Sequence, residues 1–488
     1  MRKNTTFDVS PGQRQLFLDD YGIARIEHLT RTMHRPDKKG AVIRPNLECG
    51  ETALQTRSAP AWDPEAAVYK LWIITSTDIP GVAGTTYVES EDGLHWHKPV
   101  LRQKEFKGSL ENNFVTLDPA LEWPENAIMN VVYDPNDTDP ARCFKGLAQC
   151  SIREPIASPD GIHWCKLDAP PIPSSDESNL SYDQQGQTFL ATVKHGGPHG
   201  RSVFLSTSTD FMRWTEPELI FHADDEDQHL GRENIDTRLS NPHMQSLILR
   251  SELDSYNVDV YNMSVFAYEG LYIGLPAMYH SAGPVPNYPN TFGFHLVQLV
   301  CSRDLRTWRR LGNRRPFIEA SPLGAGAYDL TQLLPPSAPV RRDDELWFYY
   351  TGLKYRASSH YVGTYPDGEI VPIPGLDRDQ GAICLALLRR DGFVSLDAGE
   401  QSGMFTTQPF ELSGTILFVN LDATKGTLAV EALDGGGSVV ATSADLNGDL
   451  PQGKVVWAQG SLADLQGRLV HLRFTLCNGS FYSYWIEE

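Results

Sequence analysis

Ser158-Pro159-Asp160-Gly161-Ile162-His163-Trp164 decides the fold, because related copies of this segment return along the chain. We call the segment the turn motif. Its serine and aspartate can bond nearby backbone groups, its glycine can take a positive φ, and its tryptophan is expected to pack between neighbouring sheets. The other copies are Ser90-Glu91-Asp92-Gly93-Leu94-His95-Trp96, Ser208-Thr209-Asp210-Phe211-Met212-Arg213-Trp214, Ser302-Arg303-Asp304-Leu305-Arg306-Thr307-Trp308 and a shortened Arg389-Arg390-Asp391-Gly392-Phe393.

The copies divide most of the chain into strand–turn–strand units that begin near residues 45, 110, 175, 255 and 325. Repetition of a four-stranded unit of this size is typical of propeller blades. The sequence therefore predicts an all-β protein with a five-bladed β-propeller over residues 1–395. Residues 15–20 and 29–33 lie outside any complete unit, and we expect them to supply an outer strand that closes the ring. The polar insertion 224–250 is expected to form a loop.

From about residue 395 the pattern changes to short strands separated by Gly and Asp turns, such as 414–420 and 468–474, without a turn motif. This pattern is typical of a β-sandwich. The sequence predicts a sandwich over residues 396–488 that packs against the propeller as a structural module.

The amino-acid composition limits the kinds of molecule that the protein is expected to bind. A net charge of −20 over 488 residues argues against nucleic acid or an anionic membrane, because clustered Lys and Arg bind both. The first residues lack the apolar segment of a signal peptide, and no stretch approaches the about 18 apolar residues of a membrane span. The seven cysteines show no metal-binding spacing, so we expect reduced thiols in a cytoplasmic protein. The sequence leaves the oligomeric state open.

Acidic and amide residues recur where each unit begins. In a propeller, residues leading into the innermost strands converge at one mouth of the central channel. The hypothesis is a functional mouth, and the alternative is that these acids only cap turns. The residues are Glu48 and Glu51 in unit one, Glu111, Asn112 and Asn113 in unit two, Asp176, Glu177 and Asn179 in unit three, Asp259, Tyr261 and Asn262 in unit four, and Tyr328 and Asp329 in unit five.

Converging carboxylates fit glycoside hydrolysis, in which one protonated carboxyl donates to the leaving oxygen while another attacks or activates water. Asn, His and Tyr side chains would bind the sugar. The candidate substrate-binding residues are Arg57, Asn112, Asn113, Asn179, His195, Asp259, Tyr261, Asn262, His280 and Tyr355. No metal or cofactor is predicted, and the chain has no G-x-S-x-G, P-loop, HExxH or dinucleotide motif.

The turn motif resembles the blade edges of the five-bladed propeller glycosidases, the superfamily of glycoside hydrolase families 32, 43, 68 and 130. Nearly the whole chain is similar to a group of bacterial family 32-like proteins, with matching segments at 15–20, 29–31, 141–145, 265–272 and 389–395. The resemblance implies a propeller followed by a sandwich, and action on furanosides or related glycosides. The three catalytic motifs of family 32 are not intact at their expected places.

Three functions stay open at this point, each with a small carbohydrate as partner. The first is an exo-acting glycosidase for small neutral oligosaccharides or furanosides. For it, Glu177 or Asp176 is the predicted acid. Glu48 or Glu51 is the predicted nucleophile or base, and Asp329 and Asp259 would orient the sugar or tune the acid.

The second function is a glycoside phosphorylase, which needs cationic or imidazole donors for phosphate at the mouth. The candidate donors are Arg57, Lys194, His195, Arg201 and Lys354. The third is a non-catalytic carbohydrate-binding propeller, in which no two mouth carboxylates lie within the about 5–10 Å that hydrolysis requires.

Overall fold

The computed structural model describes residues 7–79, 82–118, 127–245, 257–284, 291–324, 326–356 and 377–488. Strands dominate this part of the chain, which confirms the predicted all-β class. Within it, no helix is both long enough and apolar enough to cross a membrane.

Five mainly antiparallel groups of strands, which we call sheets 1 to 5, make up the larger part of the fold. Sheet 1 contains Glu51–Gln55, Ala61–Asp63, Val68–Thr77, Ala83–Ser90 and Phe114–Val115. Sheet 2 contains Leu117–Asp118, Ile128–Tyr133, Phe144–Ala148, Ile152–Ser158, Trp164–Lys166 and Ile172–Pro173. Sheet 3 contains Ser178–Asp183, Thr188–Gly197, Gly200–Ser208 and Glu218–Phe221. Sheet 4 contains Asn257–Tyr268, Leu271–Pro284, Thr291–Val297, Val300–Ser302 and Arg309–Arg310. Sheet 5 contains Asp37–Ile43, Gln332–Leu334, Val340–Arg342, Glu345–Leu353 and Gly381–Arg389.

The five sheets contact one another in cyclic order. Sheet 2 contacts sheet 3 and sheet 3 contacts sheet 4 through one strand of each sheet, namely Ile128–Tyr133, Ser178–Asp183 and Asn257–Tyr268. Sheet 4 contacts sheet 5, sheet 5 contacts sheet 1, and sheet 1 contacts sheet 2. Sheets 5 and 1 also share one parallel pairing, Gly381 with Ala53, which joins them into one 10-stranded sheet.

A sixth, 12-stranded sheet, which we call the C-terminal sheet, holds the rest of the strands. Its apolar side chains form a separate core that includes Phe405, Leu428, Phe474 and Tyr484. Its strands are Gln15–Leu16, Ile23–Glu27, Thr30–Met33, Val394–Ala398, Gly403–Thr407, Phe410–Glu411, Ile416–Asp434, Val439–Ser443, Leu446–Lys454, Trp457–Gln459, Leu469–Cys477 and Gly479–Glu487.

The N-terminal strands differ from the sequence prediction. We expected residues 15–20 and 29–33 to extend one of the repeated units, but Gln15 pairs with Tyr484 and Met33 pairs with Val394. Both segments therefore belong to the C-terminal sheet. The strand that does join a repeated unit is Asp37–Ile43, which pairs antiparallel with Gly381–Arg389 in sheet 5. Strand pairing over such separations depends on tertiary contacts that local sequence patterns do not encode.

The turn motif folds the same way in its complete copies. In the second copy, Asp160 Oδ1 accepts hydrogen bonds from the backbone N–H of Ile162 at 2.8 Å and of His163 at 2.9 Å. The motif aspartates of the other three copies make equivalent bonds. Phe211 and Leu305 take φ of 63° and 61° where the first two copies have glycine. The aspartate bonds therefore hold this turn even where glycine is absent. The imidazoles of His95 and His163 each bond the aspartate of their own motif.

The motif also connects neighbouring sheets. Trp72 of sheet 1 donates from Nε1 to Gly161 O at 2.7 Å, and its ring meets that of Trp164 at 5.7 Å. Tyr349 of sheet 5 donates to Gly93 O at 2.9 Å and meets the ring of Trp96 at 5.8 Å. The predicted packing of the motif tryptophans between sheets is confirmed for these two copies.

Gly161→Ala should destabilise the protein more than Gly108→Ala, although both glycines have similar φ, 79° and 75°. A Cβ at residue 161 would lie 2.5 Å from the indole of Trp72, whereas a Cβ at residue 108 would have no atom within 4 Å. Both variants carry the same backbone strain from a positive φ. The difference between their unfolding free energies therefore measures the clash with Trp72, which we expect to cost about 1–3 kcal/mol. Urea unfolding of both variants measures it, and equal losses would mean that the Trp72 contact is not tight.

The insertion between units three and four contains a helix instead of the expected loop. The helix, Asp225–Ser240, begins at a capping box in which Asp224 and Asp227 bond each other's backbone N–H. It buries polar and small residues as well as Ile235, so it has no apolar stripe that periodicity could detect. The acidic capping pair was the available signal. Residues 246–250 of the insertion lie outside the described residues. Short 3₁₀ turns occur at Pro140–Arg142, Gly312–Arg314 and Leu462–Leu465.

Candidate active site

Glu177 lies immediately before the first strand of sheet 3 and is 2% exposed. Arg57, just after the first strand of sheet 1, donates from Nε to Glu177 Oε2 at 2.7 Å and from Nη2 to Oε1 at 2.6 Å. Asn262 of sheet 4 also donates to Oε2 at 3.0 Å. A bidentate guanidinium binds both carboxylate oxygens in a fixed geometry, so the arrangement suits Glu177 for positioning its neighbours.

Asp176 adjoins Glu177 but differs from it, since its side chain is 62% exposed. Lys194 Nζ lies 2.9 Å from its Oδ2, and the Tyr261 hydroxyl is 3.4 Å from the same oxygen. Surrounding protein atoms act to raise the pKa of Asp176, but the charge and hydrogen bond of Lys194 outweigh them and the pKa is lowered. Its φ of 68° is a strained conformation for a non-glycine residue, of the kind found at functional sites.

Asp259 in the first strand of sheet 4 has the opposite electrostatic environment. It is 4% exposed, and Arg201 donates to its Oδ2 from the guanidinium at 3.1 Å and from the backbone N–H at 3.3 Å. Burial raises the pKa of Asp259 despite Arg201, which acts to lower it. The charge of Lys194 acts to lower the pKa of both Asp259 and Asp176, so one cation influences both carboxylates.

Two tyrosine rings lie beside these carboxylates. Tyr261 and Tyr279 are buried with ring centroids 6.0 Å apart. Lys194 Nζ lies 4.3 Å from the Tyr261 centroid. The guanidinium carbons of Arg201 and Arg356 lie between 5.2 and 5.7 Å from both rings. The site therefore combines residues of sheets 1, 3 and 4 with Arg356, which follows the strand Glu345–Leu353 of sheet 5.

Arg153 of sheet 2 supports the segment that carries Asp176. It is fully buried, and it donates to Ser178 Oγ and to the backbone oxygen of Asp176, each at 2.5 Å. Burial lowers the pKa of Arg153 to about 10, against the charge of Glu177. Arg153 thus ties both ends of this segment to sheet 2.

Glu48 and Glu51, the predicted nucleophile or base, do not contact this cluster in the described structure. Glu48 is exposed in the turn before the first strand of sheet 1. Glu51 is 7% exposed and accepts hydrogen bonds from Lys98 Nζ at 2.5 Å and from the backbone N–H of Asn46 at 2.7 Å. Through these bonds Glu51 stabilises the start of the first strand of sheet 1.

Asp329, the predicted carboxylate of unit five, is also bound elsewhere. Its Oδ2 accepts from Lys38 Nζ and from the Tyr350 hydroxyl, both at 2.8 Å. Lys38 also donates to Glu319 O, which follows sheet 4. Asp329 thus ties the N-terminal strand of sheet 5 to the segment between sheets 4 and 5, and it does not contact Glu177, Asp176 or Asp259 among the described residues.

Four other candidates have structural partners. Asn112 donates to Lys104 O at 2.8 Å within its own loop, and Asn113 donates to Tyr87 O at 2.8 Å. His280 stacks on Phe294 at 4.7 Å and bonds Asn234 of the helix, and burial lowers its pKa to about 4. The Tyr355 hydroxyl accepts from Asp377 N at 3.4 Å.

Two further candidates lie in or beside the cluster. Asn179 donates to Asn262 Oδ1 at 2.5 Å and so extends the network around Glu177. His195 follows Lys194 in the same strand, packs edge-on to Phe204 at 5.0 Å, and has its pKa lowered by burial.

Sequence reasoning missed Arg153, Tyr279, His295 and Arg356. Tyr279 and His295 sit within apolar strand segments and look like core residues in the sequence. Arg356 lies shortly after the strand Glu345–Leu353, and only the fold brings it to Tyr261. No group of three or more His, Cys, Asp or Glu side chains that could hold a metal ion occurs in the described residues.

No family model and no curated protein matches the sequence. Solved structures similar to this chain have low sequence identity and low TM-scores. One is an N-acetylgalactosamine deacetylase from F. plautii, at 12% identity and a TM-score of 0.38, covering 79% of this chain and 96% of that chain. Another is the Bombyx mori family 32 β-fructofuranosidase, at 10% identity and a TM-score of 0.39, covering 93% and 94%. A third is a family 43 arabinoxylan arabinofuranohydrolase from Bacillus subtilis, at 10% identity and a TM-score of 0.35, covering 92% and 99%. The second and third of these structures belong to families 32 and 43, two of the families whose blade edges the turn motif resembles.

Proposed function

We propose that the five sheets are the blades of a five-bladed β-propeller and that the C-terminal sheet forms a β-sandwich. The cyclic order of contacts between sheets 1 and 5 supports this arrangement, as do the turn motifs that join one sheet to the next. The propeller would comprise residues 37–389. The sandwich would comprise residues 15–33 and 394–488, so it would include the N-terminal strands that the sequence prediction placed with the propeller.

We further propose that the protein is a glycoside hydrolase that acts exo on small oligosaccharides or furanosides. The observation that carries this proposal is the pair Asp176 and Asp259, whose environments shift their pKa values in opposite directions. Two carboxyl groups of this kind divide acid and base roles in glycoside hydrolysis.

The roles differ from those expected from the sequence. Asp259, whose protonated form burial favours, would donate a proton to the leaving oxygen. Asp176, ionised and exposed to solvent, would attack the anomeric carbon or activate water. Glu177 would position Arg57 and Asn262, because Arg57 binds both of its carboxylate oxygens. Asn179 and Tyr261 would bind sugar hydroxyls.

The test is a screen of the purified protein against aryl glycosides and furanosyl oligosaccharides, with and without inorganic phosphate. Asp259→Asn and Asp176→Asn are compared with Glu48→Gln, an exposed carboxylate outside the cluster. Sugar release without phosphate that is lost in the first two variants and kept in Glu48→Gln would support the proposal. Binding without turnover across the panel would overturn it in favour of a carbohydrate-binding protein.

A phosphorylase is the second candidate, and the convergence of Lys194, Arg201 and Arg356 on the two tyrosines favours it. Cations so placed could hold phosphate beside the carboxylates. Turnover that requires phosphate, with a sugar phosphate as product, would decide for this candidate.

A further inference from the structure

We propose that the site recognises an oxyanion, a carboxylate, phosphate or sulfate, beside Tyr261 and Tyr279 through Arg201, Arg356 and Lys194. The anion would be a substituent of the sugar or free inorganic phosphate. The inference that the substrate is an anionic sugar rests on the proposed function. The inference that the site binds an anion does not. The sequence predicted a neutral oligosaccharide, so the proposal changes the expected substrate.

The first argument is convergence. The guanidinium carbon of Arg201 lies 5.2 Å from the Tyr279 centroid, and that of Arg356 lies 5.3 Å from the same point. Both also lie within 6 Å of Tyr261. Arg201 reaches solvent, with 30% of its side chain exposed. Two guanidinium groups beside one pair of rings offer the planar, multiple donors that oxyanions bind.

The second argument is charge. Within the described part of the chain, the cluster contains five cations, namely Arg57, Arg153, Lys194, Arg201 and Arg356, and three carboxylates, namely Asp176, Glu177 and Asp259. Among these eight residues the cations exceed the carboxylates by two, in a chain whose net charge is −20. A local positive site within an acidic protein concentrates anionic ligands.

The third argument is a buried histidine. His295 is fully buried, and neither ring nitrogen has a hydrogen-bond partner in the described part of the chain. Its ring lies 4.7 Å from that of Tyr261 and 5.0 Å from that of Tyr279. Burial, followed by the charges of Arg356 and Arg201, holds its pKa well below 6.5, so it is a neutral imidazole that can donate one N–H. Unpartnered buried polar groups are rare and costly, and a bound oxyanion would accept this hydrogen bond.

Calorimetric titration of the intact protein tests the proposal with inorganic phosphate, glucuronate and the neutral glucose. Arg356→Gln is compared with Arg342→Gln, whose guanidinium also lies over an aromatic ring, Trp347, at 4.7 Å, but away from the site. We expect wild type and Arg342→Gln to bind phosphate or glucuronate more tightly than glucose. We expect Arg356→Gln to weaken anion binding at least about tenfold, and added salt to weaken it in wild type.

No anion binding by wild type, or equal binding by Arg356→Gln, would overturn the proposal. If Arg356→Gln does not fold, Arg356→Lys keeps the charge but loses the bidentate donor, and the same comparison is made with it. Phosphate binding with phosphate-dependent turnover identifies free phosphate as the anion, whereas glucuronate binding alone identifies an acidic sugar. Because titration needs no turnover, anion binding by an inactive protein would support this inference while the hydrolase proposal fails.

Discussion

Asp259→Asn should lower kcat/KM on a natural oligosaccharide by about 10²–10⁴-fold, the usual contribution of a general acid. The variant keeps the shape of the side chain but cannot supply the proton. Its loss should be much smaller on a dinitrophenyl glycoside, because that leaving group departs without protonation. Steady-state kinetics on both substrates measures the difference, and an equal loss on both would remove Asp259 from the role of acid.

Asp176→Ala complements this test, because it should lose activity on both substrates. Added azide should restore turnover if Asp176 is the nucleophile or base, since a small anion can occupy the space of the missing carboxylate. Glu48→Gln should retain wild-type rates in both assays. If Glu48→Gln is inactive and Asp176→Ala is active, the assignment from the sequence is right and the one from the structure is wrong.

The pH profile follows from the same two groups. The pKa of Asp176 lies below its ordinary value of 3.8 and that of Asp259 lies above it. Activity needs Asp176 ionised and Asp259 protonated, so kcat/KM should fall as pH drops through the first pKa and as pH rises through the second. In Asp259→Asn the decline at higher pH should disappear, while the decline at lower pH remains.

Asp391→Ala should lower the free energy of unfolding by about 3–5 kcal/mol, because it leaves a buried guanidinium without its partner. Asp391 is fully buried, and its carboxylate accepts from Arg14 at 2.7 Å, from the Tyr268 hydroxyl at 2.7 Å and from Ser483 Oγ at 2.6 Å. Tyr268 belongs to sheet 4 and Ser483 to the C-terminal sheet, so this carboxylate joins the two parts of the fold.

Asp304→Ala is the matched control, since Asp304 is the aspartate of the fourth turn motif. Asp304 is exposed, and among the described residues its side chain bonds only residues of its own motif. The variant should therefore lose about 1 kcal/mol of unfolding free energy. Urea unfolding followed by fluorescence measures both, and separate transitions in Asp391→Ala would show that the C-terminal sheet has lost its coupling to the rest. Equal losses in the two variants would contradict the role assigned to Asp391.

The fifth copy of the turn motif shows how far local sequence information reaches. Its Asp391-Gly392 pair is recognisable in the sequence, but the positive φ of 64° occurs at Asp391, whereas in the first two copies the positive φ occurs at the glycine. The sequence could not predict that the carboxylate leaves the local turn and bonds Arg14, which lies 377 positions away. This copy lacks the tryptophan, and its Phe393 packs against Phe317 and Phe348, residues of two other segments.

The sequence by itself determined the β class and the form of the turn motifs, because the bonds that hold each motif join residues two or three positions apart. It also placed polar residues at the start of each unit. Only the tertiary structure decided which of them meet. Arg57 and Glu177 are 120 positions apart in the sequence, yet in the fold the Arg57 guanidinium binds the Glu177 carboxylate and fixes its position. Burial and nearby charged groups likewise shift the pKa values of Asp176 and Asp259 in opposite directions. Both effects depend on the whole fold and not on residue type.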